Sequence, residues 1–240
     1  TIENNHISDS LFGINFEQVN RSKIADNFIT SKDLELGIRG DGIRLWNSHD
    51  NQLFANRLYK SRDFVLWYSS GNNIENNYGS YNRYSLHFMY AGRNMVRNNF
   101  FEYNSVGIFF MYSSGTIAIR NTVKNSLGAF GVGIGMKDSS DFTLLENNIY
   151  NPRGLYLDQS PYHPRTVNVF ERNNILYNSS GVQFQVSRER SIFKENVIKG
   201  NIEPVVSDTP RNNLDINDWS GNYWDMYEGF DKNGDGYGDI

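Results

Sequence analysis

The chain of 240 residues contains no cysteine, so disulfide bonds and thiolate metal sites are excluded. Long apolar runs are also absent, because stretches such as residues 106–112 fall far short of the ~20 residues that cross a bilayer as a helix. Positive charge is not in excess either: 23 Lys and Arg stand against 27 Asp and Glu, which gives a net charge of −4. Nucleic acids are bound by basic faces, so we expect no nucleic-acid partner.

Asparagine, in contrast, is abundant and recurs in a fixed phrase. An apolar residue is followed three positions later by Asn and two positions after that by another apolar residue, as in Ile24-Asn27-Ile29. The repeated residues are Asn5, Asn27, Asn56, Asn77, Asn99, Asn121, Asn147, Asn173 and Asn196. Their spacings run from 21 to 29 residues. A period of this length, without helical periodicity, is typical of a solenoid.

A second phrase lies about midway between the asparagines, often as Gly followed by side chains that alternate, as in Gly107-Ile108. Alternation with period 2 predicts strands. We therefore predict an all-β fold: a right-handed parallel β-helix over residues 1–215, with about nine coils of ~22 residues. Stacked asparagines would form a hydrogen-bonded ladder, and residues 216–240 a C-terminal tail. Because the chain opens inside a repeat, we expect further coils and a signal peptide upstream.

Alignment of the midway phrases separates inward from outward positions. Two columns are uniformly apolar and should fill the core; they include Ile43, Val65 and Leu86 in one and Leu45, Trp67 and Phe88 in the other. The intervening positions should face outward, yet in the middle coils they are apolar too. The predicted binding face consists of Trp46, Leu66, Tyr68, His87, Met89, Tyr90, Phe109, Met111 and Tyr112. Such a stripe marks a partner or ligand surface, unless an insertion loop or missing coils cover it.

Three residues of this face could bind a soft metal ion. His87 and Met89 are two positions apart on one strand, and Met111 should lie beside Met89 on the next coil. Imidazole and thioether together suit Cu(I), so these residues form a candidate copper site. The alternative is that the methionines only fill an adaptable protein interface.

The C-terminal tail contains a different metal-binding pattern. Asp231, Asn233 and Asp235 supply oxygen atoms at alternate positions before Gly236, as in the first half of an EF-hand calcium loop, and Asp239 could ligate as well. The bidentate Glu that closes such a loop is absent from this sequence. The segment is therefore a candidate calcium site or a plain acidic turn.

Several phrases together resemble the NosD family of nitrous oxide reductase maturation proteins. They are residues 42–48, 62–69, His-Phe-Met-Tyr at 87–90, Phe-Met-Tyr-Ser at 110–113 and Gly-Asn-Tyr-Trp at 221–224. The resemblance implies a periplasmic accessory protein that acts with the ABC transporter NosF/NosY. It further implies that the protein takes part in assembly of a copper–sulfur centre, with the copper chaperone NosL and nitrous oxide reductase as partners. The resemblance implies no catalytic residues.

The alternative function is a polysaccharide-binding or polysaccharide-modifying β-helix protein, such as a lyase, epimerase or hydrolase. Hydrolysis needs two carboxylates across a cleft. The outward columns contain only Asp158, with Asp138 at the turn beyond, and Lys137 is an isolated candidate base for a lyase. Because these positions do not provide a pair of carboxylates or a basic groove, the polysaccharide-active alternative is the weaker hypothesis.

Overall fold

The computed structural model describes residues 1–129, 131–208 and 215–238. In this part of the chain, the regular elements are strands apart from one 3-10 helix at Leu36–Ile38. Each complete coil adds one strand to each of three parallel sheets, and successive coils stack in register. The predicted all-β parallel β-helix of about nine coils is confirmed. Within the same residues, no helix has the length and apolar character needed to cross a membrane.

The three sheets are defined by the following strands. The first sheet contains Ile2–Glu3, Lys23–Ala25, Gln52–Phe54, Asn73–Glu75, Met95–Arg97, Ile117–Ile119, Thr143–Leu145, Asn168–Glu171, Ser191–Lys194 and Asp218–Ser220. The second contains His6–Ser10, Phe28–Ser31, Arg57–Tyr59, Tyr78–Ser80, Phe100–Glu102, Thr122–Lys124, Asn148–Tyr150, Asn174–Leu176, Val197–Lys199 and Tyr223–Trp224. The third contains Ile14–Glu17, Ile43–Trp46, Asp63–Trp67, Tyr84–Met89, Val106–Met111, Val132–Lys137, Arg153–Asp158, Ser180–Gln185 and Glu203–Ser207.

The core is a continuous column of apolar side chains inside the coils. Alternate residues of each strand point inward, so that Leu86, Ile108 and Ile134 lie in register and are fully buried. Near the C-terminal end, the rings of Phe170 and Phe193 stack with their centroids 4.6 Å apart. Each such side chain contributes roughly 1.5–3 kcal/mol when it is fully removed from water. No coil could bury its inner face alone, so the stack is the folding unit.

The repeat asparagines satisfy the polar groups of the bends. Asn77 is typical: its Nδ2 donates to Asn99 Oδ1 at 3.0 Å and to the Leu53 carbonyl at 2.9 Å, and its backbone N–H donates to the same Oδ1. The expected ladder is confirmed and extends through Asn222. Other bends carry asparagine ladders that the repeat phrase does not mark; they include Asn51, Asn72 and Asn94, and Asn151, Asn178 and Asn201.

The strand Asp63–Trp67 has a different register from the one expected. Phe64 and Leu66 pair with Ile43 and Leu45 and point into the core, whereas Val65 and Trp67 face outward. The next strand contains one extra residue, because the pairing shifts between Tyr84 and His87. This irregularity displaces Val65, Leu66 and Trp67 by one position relative to a simple alignment, whereas Asp63 still pairs with Tyr84. Val65 and Trp67 were therefore wrongly assigned to the core columns.

The stacked strands continue beyond residue 215. Asp218–Ser220 pairs with Ser191–Lys194, and Tyr223–Trp224 pairs with Val197–Lys199. The ring of Trp219 stacks on Phe193 with centroids 4.2 Å apart, so the aromatic part of the expected tail closes the end of the core. The structure places the end of the stacked strands at Trp224.

Candidate functional site

The candidate site lies on the outer face of the third sheet, where successive coils place equivalent residues side by side. One outward column contains Arg44, Val65, His87, Phe109, Gly135 and Tyr156. The next contains Trp46, Trp67, Met89, Met111, Lys137 and Asp158. Just beyond the strand ends, Tyr68, Tyr90 and Tyr112 occupy equivalent turn positions with positive φ. The direction predicted for His87, Met89 and Met111, out of the core, is the one the structure shows.

His87 is held by contacts on both edges and one face of its ring. Its Nδ1 lies 3.3 Å from Asp63 Oδ2, and its Nε2 lies 3.2 Å from Met111 Sδ on the next coil. The ring of Tyr84 stacks on it with centroids 4.4 Å apart. These neighbours leave only 8% of the side chain exposed, although it points away from the core. The ring is therefore fixed in place.

The two nitrogens of this ring have different roles. A carboxylate only accepts hydrogen bonds, so Nδ1 carries the proton that is donated to Asp63. In the neutral imidazole, Nε2 then directs a lone pair at the Met111 sulfur, which is itself a lone-pair donor. A metal ion bound by both atoms removes this conflict. A carboxylate on the far nitrogen is also the usual support of a metal-binding histidine.

Met89 completes the group that the sequence singled out. It lies in register with Met111, and it lines a surface cavity of about 210 Å³ together with His87. Both methionines are partly exposed, so an ion could reach their sulfur atoms from outside. Among residues 1–129, 131–208 and 215–238, no three His, Asp or Glu side chains form a group that could hold a metal ion. A metal site on this face therefore depends on methionine sulfur.

Two ion pairs with buried aspartates lie near His87, and one of them contacts it. Arg62 forms a two-point contact with Asp41, and Arg83 does the same with Asp63. Burial raises the pKa of Asp41, which the Arg62 hydrogen bond only partly offsets. Burial also acts to raise the pKa of Asp63, but hydrogen bonds from His87 and Arg83 outweigh it and lower that pKa. The carboxylate under His87 is thus held in its charged form.

Aromatic rings border the candidate metal site. Tyr68 and Tyr90 stack with centroids 5.2 Å apart, and Tyr90 and Tyr112 with centroids 4.8 Å apart. Their exposed fractions are 43%, 47% and 38%. Trp46 packs edge-on against Trp67 at 5.1 Å. The coil spacing itself brings these rings to stacking distance.

Not every residue of the predicted face is available at the surface. Leu66 was wrongly assigned to it, since the shifted register buries this side chain completely in the core. Phe109 points outward but is only 8% exposed, because its ring lies where a side chain at Gly135 would otherwise be. Residues 127–129 of the insertion line a depression with Phe109 and Tyr84. Loop residues 127–129 therefore border the stripe at Phe109.

Sequence reasoning missed several residues of this site. Trp67 was placed in the core, and Asp63, Arg83 and Tyr84 were assigned no role. A signal was present, because Arg62-Asp63 and Arg83-Tyr84 occupy equivalent places in successive coils and put opposite charges next to each other. The role of the predicted residues in binding remains a prediction.

The acidic segment of the tail uses its oxygen atoms to form a turn. Asp231 Oδ1 accepts hydrogen bonds from the backbone N–H groups of Gly234 and Asp235, and its Oδ2 accepts from Gly236. These backbone hydrogen bonds lower the pKa of Asp231. Asn233 and Asp235 also accept from the backbone, whereas Asp239 lies outside the described residues. Calcium binding here stays a prediction.

The fold and the outer face define a parallel β-helix protein with a histidine–methionine group on one sheet. The model of the family described as "Periplasmic copper-binding protein (NosD)" matches residues 31–229. The chain therefore belongs to the NosD family. No protein in the curated collection matches it.

Among solved structures, the chain is similar to three β-helix proteins. Each of these similarities covers 90% of this chain. A double mutant of the periplasmic alginate epimerase AlgG is 17% identical with a TM-score of 0.48, and 59% of it is covered. The A-module of the Azotobacter vinelandii mannuronan C-5 epimerase AlgE6 is 14% identical with a TM-score of 0.48, and 78% of it is covered. The catalytic domain of a GH87 alpha-1,3-glucanase in complex with nigerose is 16% identical with a TM-score of 0.41, and 57% of it is covered. Similarities at this level carry no information on activity.

Proposed function

We propose that this chain is a periplasmic accessory protein in the assembly of the copper–sulfur centre of nitrous oxide reductase, and that it carries Cu(I) as cargo. The contact between His87 Nε2 and Met111 Sδ is the observation that carries the proposal. Imidazole and thioether are ligands that Cu(I) accepts, and the family is described as copper-binding. His87, Met89 and Met111 would hold the ion.

The surroundings of these residues suit a carrier rather than a permanent metal centre. Asp63 keeps His87 oriented, so the imidazole need not be ordered when the ion arrives. Met89 and Met111 are only partly buried, so a partner can approach the ion directly. In this role the chain is not an enzyme, and it transfers the ion between proteins.

The stacked tyrosines beside the metal ligands provide the docking surface in this proposal. Tyr68, Tyr90 and Tyr112 present exposed rings at a fixed spacing, and aromatic residues and methionine are enriched at protein interfaces. The partners are the ABC transporter NosF/NosY, the chaperone NosL and nitrous oxide reductase. The resemblance of residues 87–90 and 110–113 to the family motivates this choice.

Co-purification of the partners with and without Cu(I) tests the role. The Tyr90→Ser/Tyr112→Ser variant should lose partner association by tenfold or more. Tyr81→Ser/Tyr103→Ser is the matched control, because Tyr81 and Tyr103 also have positive φ and stack at 5.5 Å, but border the second sheet. No association of the unaltered chain with any of these partners, with or without copper, contradicts the assembly role.

One observation keeps the polysaccharide alternative as a second candidate. Asp138 carries a buried Oδ1 without a hydrogen-bond partner, and burial raises the pKa of its carboxyl group, as a general acid requires. Against it, a hydrogen bond from the Lys137 ammonium to Asp158 at 2.8 Å raises the pKa of Lys137, which keeps the candidate base protonated. Incubation with uronic-acid polymers separates the two: unsaturated or epimerised products that disappear in Asp138→Asn support the enzyme.

A further inference from the structure

A small cavity lies next to the proposed copper ligands, and its wall contains residues that take no part in the proposed copper binding. Val65 lies between Arg44 and His87 in the outward column, and it is much smaller than either neighbour. The space that it leaves contributes to the cavity of about 210 Å³, whose walls include Arg44, Trp67, His87 and Met89. This volume admits a ligand of a few heavy atoms.

Two hydrogen-bond donors in the wall of this cavity have no partner. The Nε of Arg44 and the indole Nε1 of Trp67 are both buried, and neither atom donates to any group in the described residues. The guanidinium of Arg44 is held against the rings of Trp46 and Phe12, 5.7 and 5.8 Å from their centroids. A buried donor without an acceptor destabilises the folded chain, so two such donors on residues that line one cavity indicate an acceptor ligand.

The charges around the cavity give the sign of that ligand. Asp41 is neutralised by Arg62, and Asp63 by Arg83, in two-point contacts. Arg44 forms no ion pair with another described residue, so the walls retain one unmatched positive charge. A small monoanion would supply both the missing charge and the missing acceptor atoms.

We propose that this cavity is a binding site for a small monoanion, which accepts hydrogen bonds from Arg44 Nε and Trp67 Nε1. A carboxylate or a halide has the required chemistry, and a dianion would bring a second charge that nothing in the cavity neutralises. The site does not depend on copper, because neither donor belongs to the proposed copper ligands. An anion held here would lie next to Met89 and His87, and its charge would favour a cation on them.

The test uses the metal-free chain labelled with 15N and titrated with sodium formate at constant ionic strength, which sodium sulfate maintains. The sequence contains four tryptophans, so the indole N–H resonance of Trp67 is assigned by its loss in Trp67→Phe. The expected result is a saturable shift of this resonance, with little change at Trp219 and Trp224, which lie at the C-terminal end of the stack.

Two variants check that the cavity causes the shift. Arg44→Met should weaken formate binding tenfold or more, and Val65→Leu should do the same by filling the space while leaving both donors in place. Arg57→Met is the control, because Arg57 is an exposed arginine on the second sheet. Unchanged indole signals of Trp219 and Trp224, which do not contact the cavity, show that each variant is folded. The proposal is overturned if the Trp67 signal does not respond to formate, or if Val65→Leu and Arg44→Met bind formate as tightly as the unaltered chain.

Discussion

His87 Nε2 and Met111 Sδ face each other at 3.2 Å across two adjacent coils. Both atoms are lone-pair donors when the imidazole is neutral with its proton on Nδ1, and Asp63 accepts that proton's hydrogen bond. The pair is therefore preorganised for a cation. The register of the third sheet produces this contact, because Phe109 lies beside His87 and Met111 is two residues further along the same face of that strand.

Removal of the charge under His87 should weaken Cu(I) binding without removing a ligand. In Asp63→Asn, the hydrogen bond to Nδ1 becomes weaker and the imidazole a poorer donor, so we expect a loss of affinity of roughly 10–100-fold. A competitive titration against a chromophoric Cu(I) chelator measures it. Asp41→Asn is the matched control, since Asp41 is equally buried and also paired with arginine but does not contact His87. Equal effects of both substitutions would argue against a supporting role for Asp63.

The pKa of Asp41 predicts a specific dependence of stability on pH. Burial raises the pKa of Asp41 above its unfolded value of about 3.9, so between these values the folded state holds more protons than the unfolded state. The contribution of Asp41 to the free energy of unfolding therefore rises as pH falls through the folded pKa. Denaturant unfolding at several pH values should show the unaltered chain gaining stability relative to Asp41→Asn on acidification. A difference that is constant or shrinks would contradict the assignment.

The asparagine ladder should be costly to interrupt. Asn99 donates from Nδ2 to Asn121 and to the Ile74 carbonyl, and its Oδ1 accepts from Asn77. Asn99→Ala leaves buried groups on both neighbouring coils unsatisfied, at about 1–3 kcal/mol each, so we expect a loss of about 3 kcal/mol in urea unfolding. The exposed Gln52→Ala on the first sheet should change stability by less than about 0.5 kcal/mol.

The shifted register of Asp63–Trp67 can be tested through Leu66. Its side chain is fully buried, so Leu66→Ala should cost about 2–5 kcal/mol by leaving a cavity in the core. Tyr68→Ala removes a half-exposed ring and should cost much less. Thermal or urea unfolding of the two variants gives the comparison. Were Leu66→Ala the milder substitution, Leu66 would lie on the surface, as the sequence alignment alone suggested.

The sequence was sufficient to predict the coil architecture because each repeat carries its own strong signal. Stacked asparagines and period-2 alternation are local patterns, and the ladder from Asn27 to Asn196 follows from them directly. The bulge between Tyr84 and His87 leaves no such pattern, since one extra residue is compatible with either alignment until pairing is known. For this reason the alignment predicted Leu66 on the outer face and Trp67 in the core, which is the reverse of their positions in the structure.

Alignment of the repeat positions could not predict the environment of His87. The outward direction of His87 was predicted correctly, but its exposure was not, since exposure depends on Asp63 from the preceding coil and on the ring of Tyr84 from the same strand. Similarly, Phe109 is covered because Gly135 leaves room for its ring in the next coil. The Asp63–His87 and Phe109–Gly135 contacts join residues more than 20 positions apart, and only the register brings them together.

Binding of Cu(I) by His87, Met89 and Met111 can be measured by a competitive Cu(I) titration under anaerobic conditions. The unaltered chain should bind one Cu(I) ion, and Met89→Leu/Met111→Leu should lower the affinity at least tenfold, which corresponds to about 1.4 kcal/mol. Met95→Leu, which removes a thioether from the first sheet in the neighbouring part of the stack, should leave the affinity unchanged. Equal Cu(I) affinity of the unaltered chain and the double variant would contradict Cu(I) binding by Met89 and Met111.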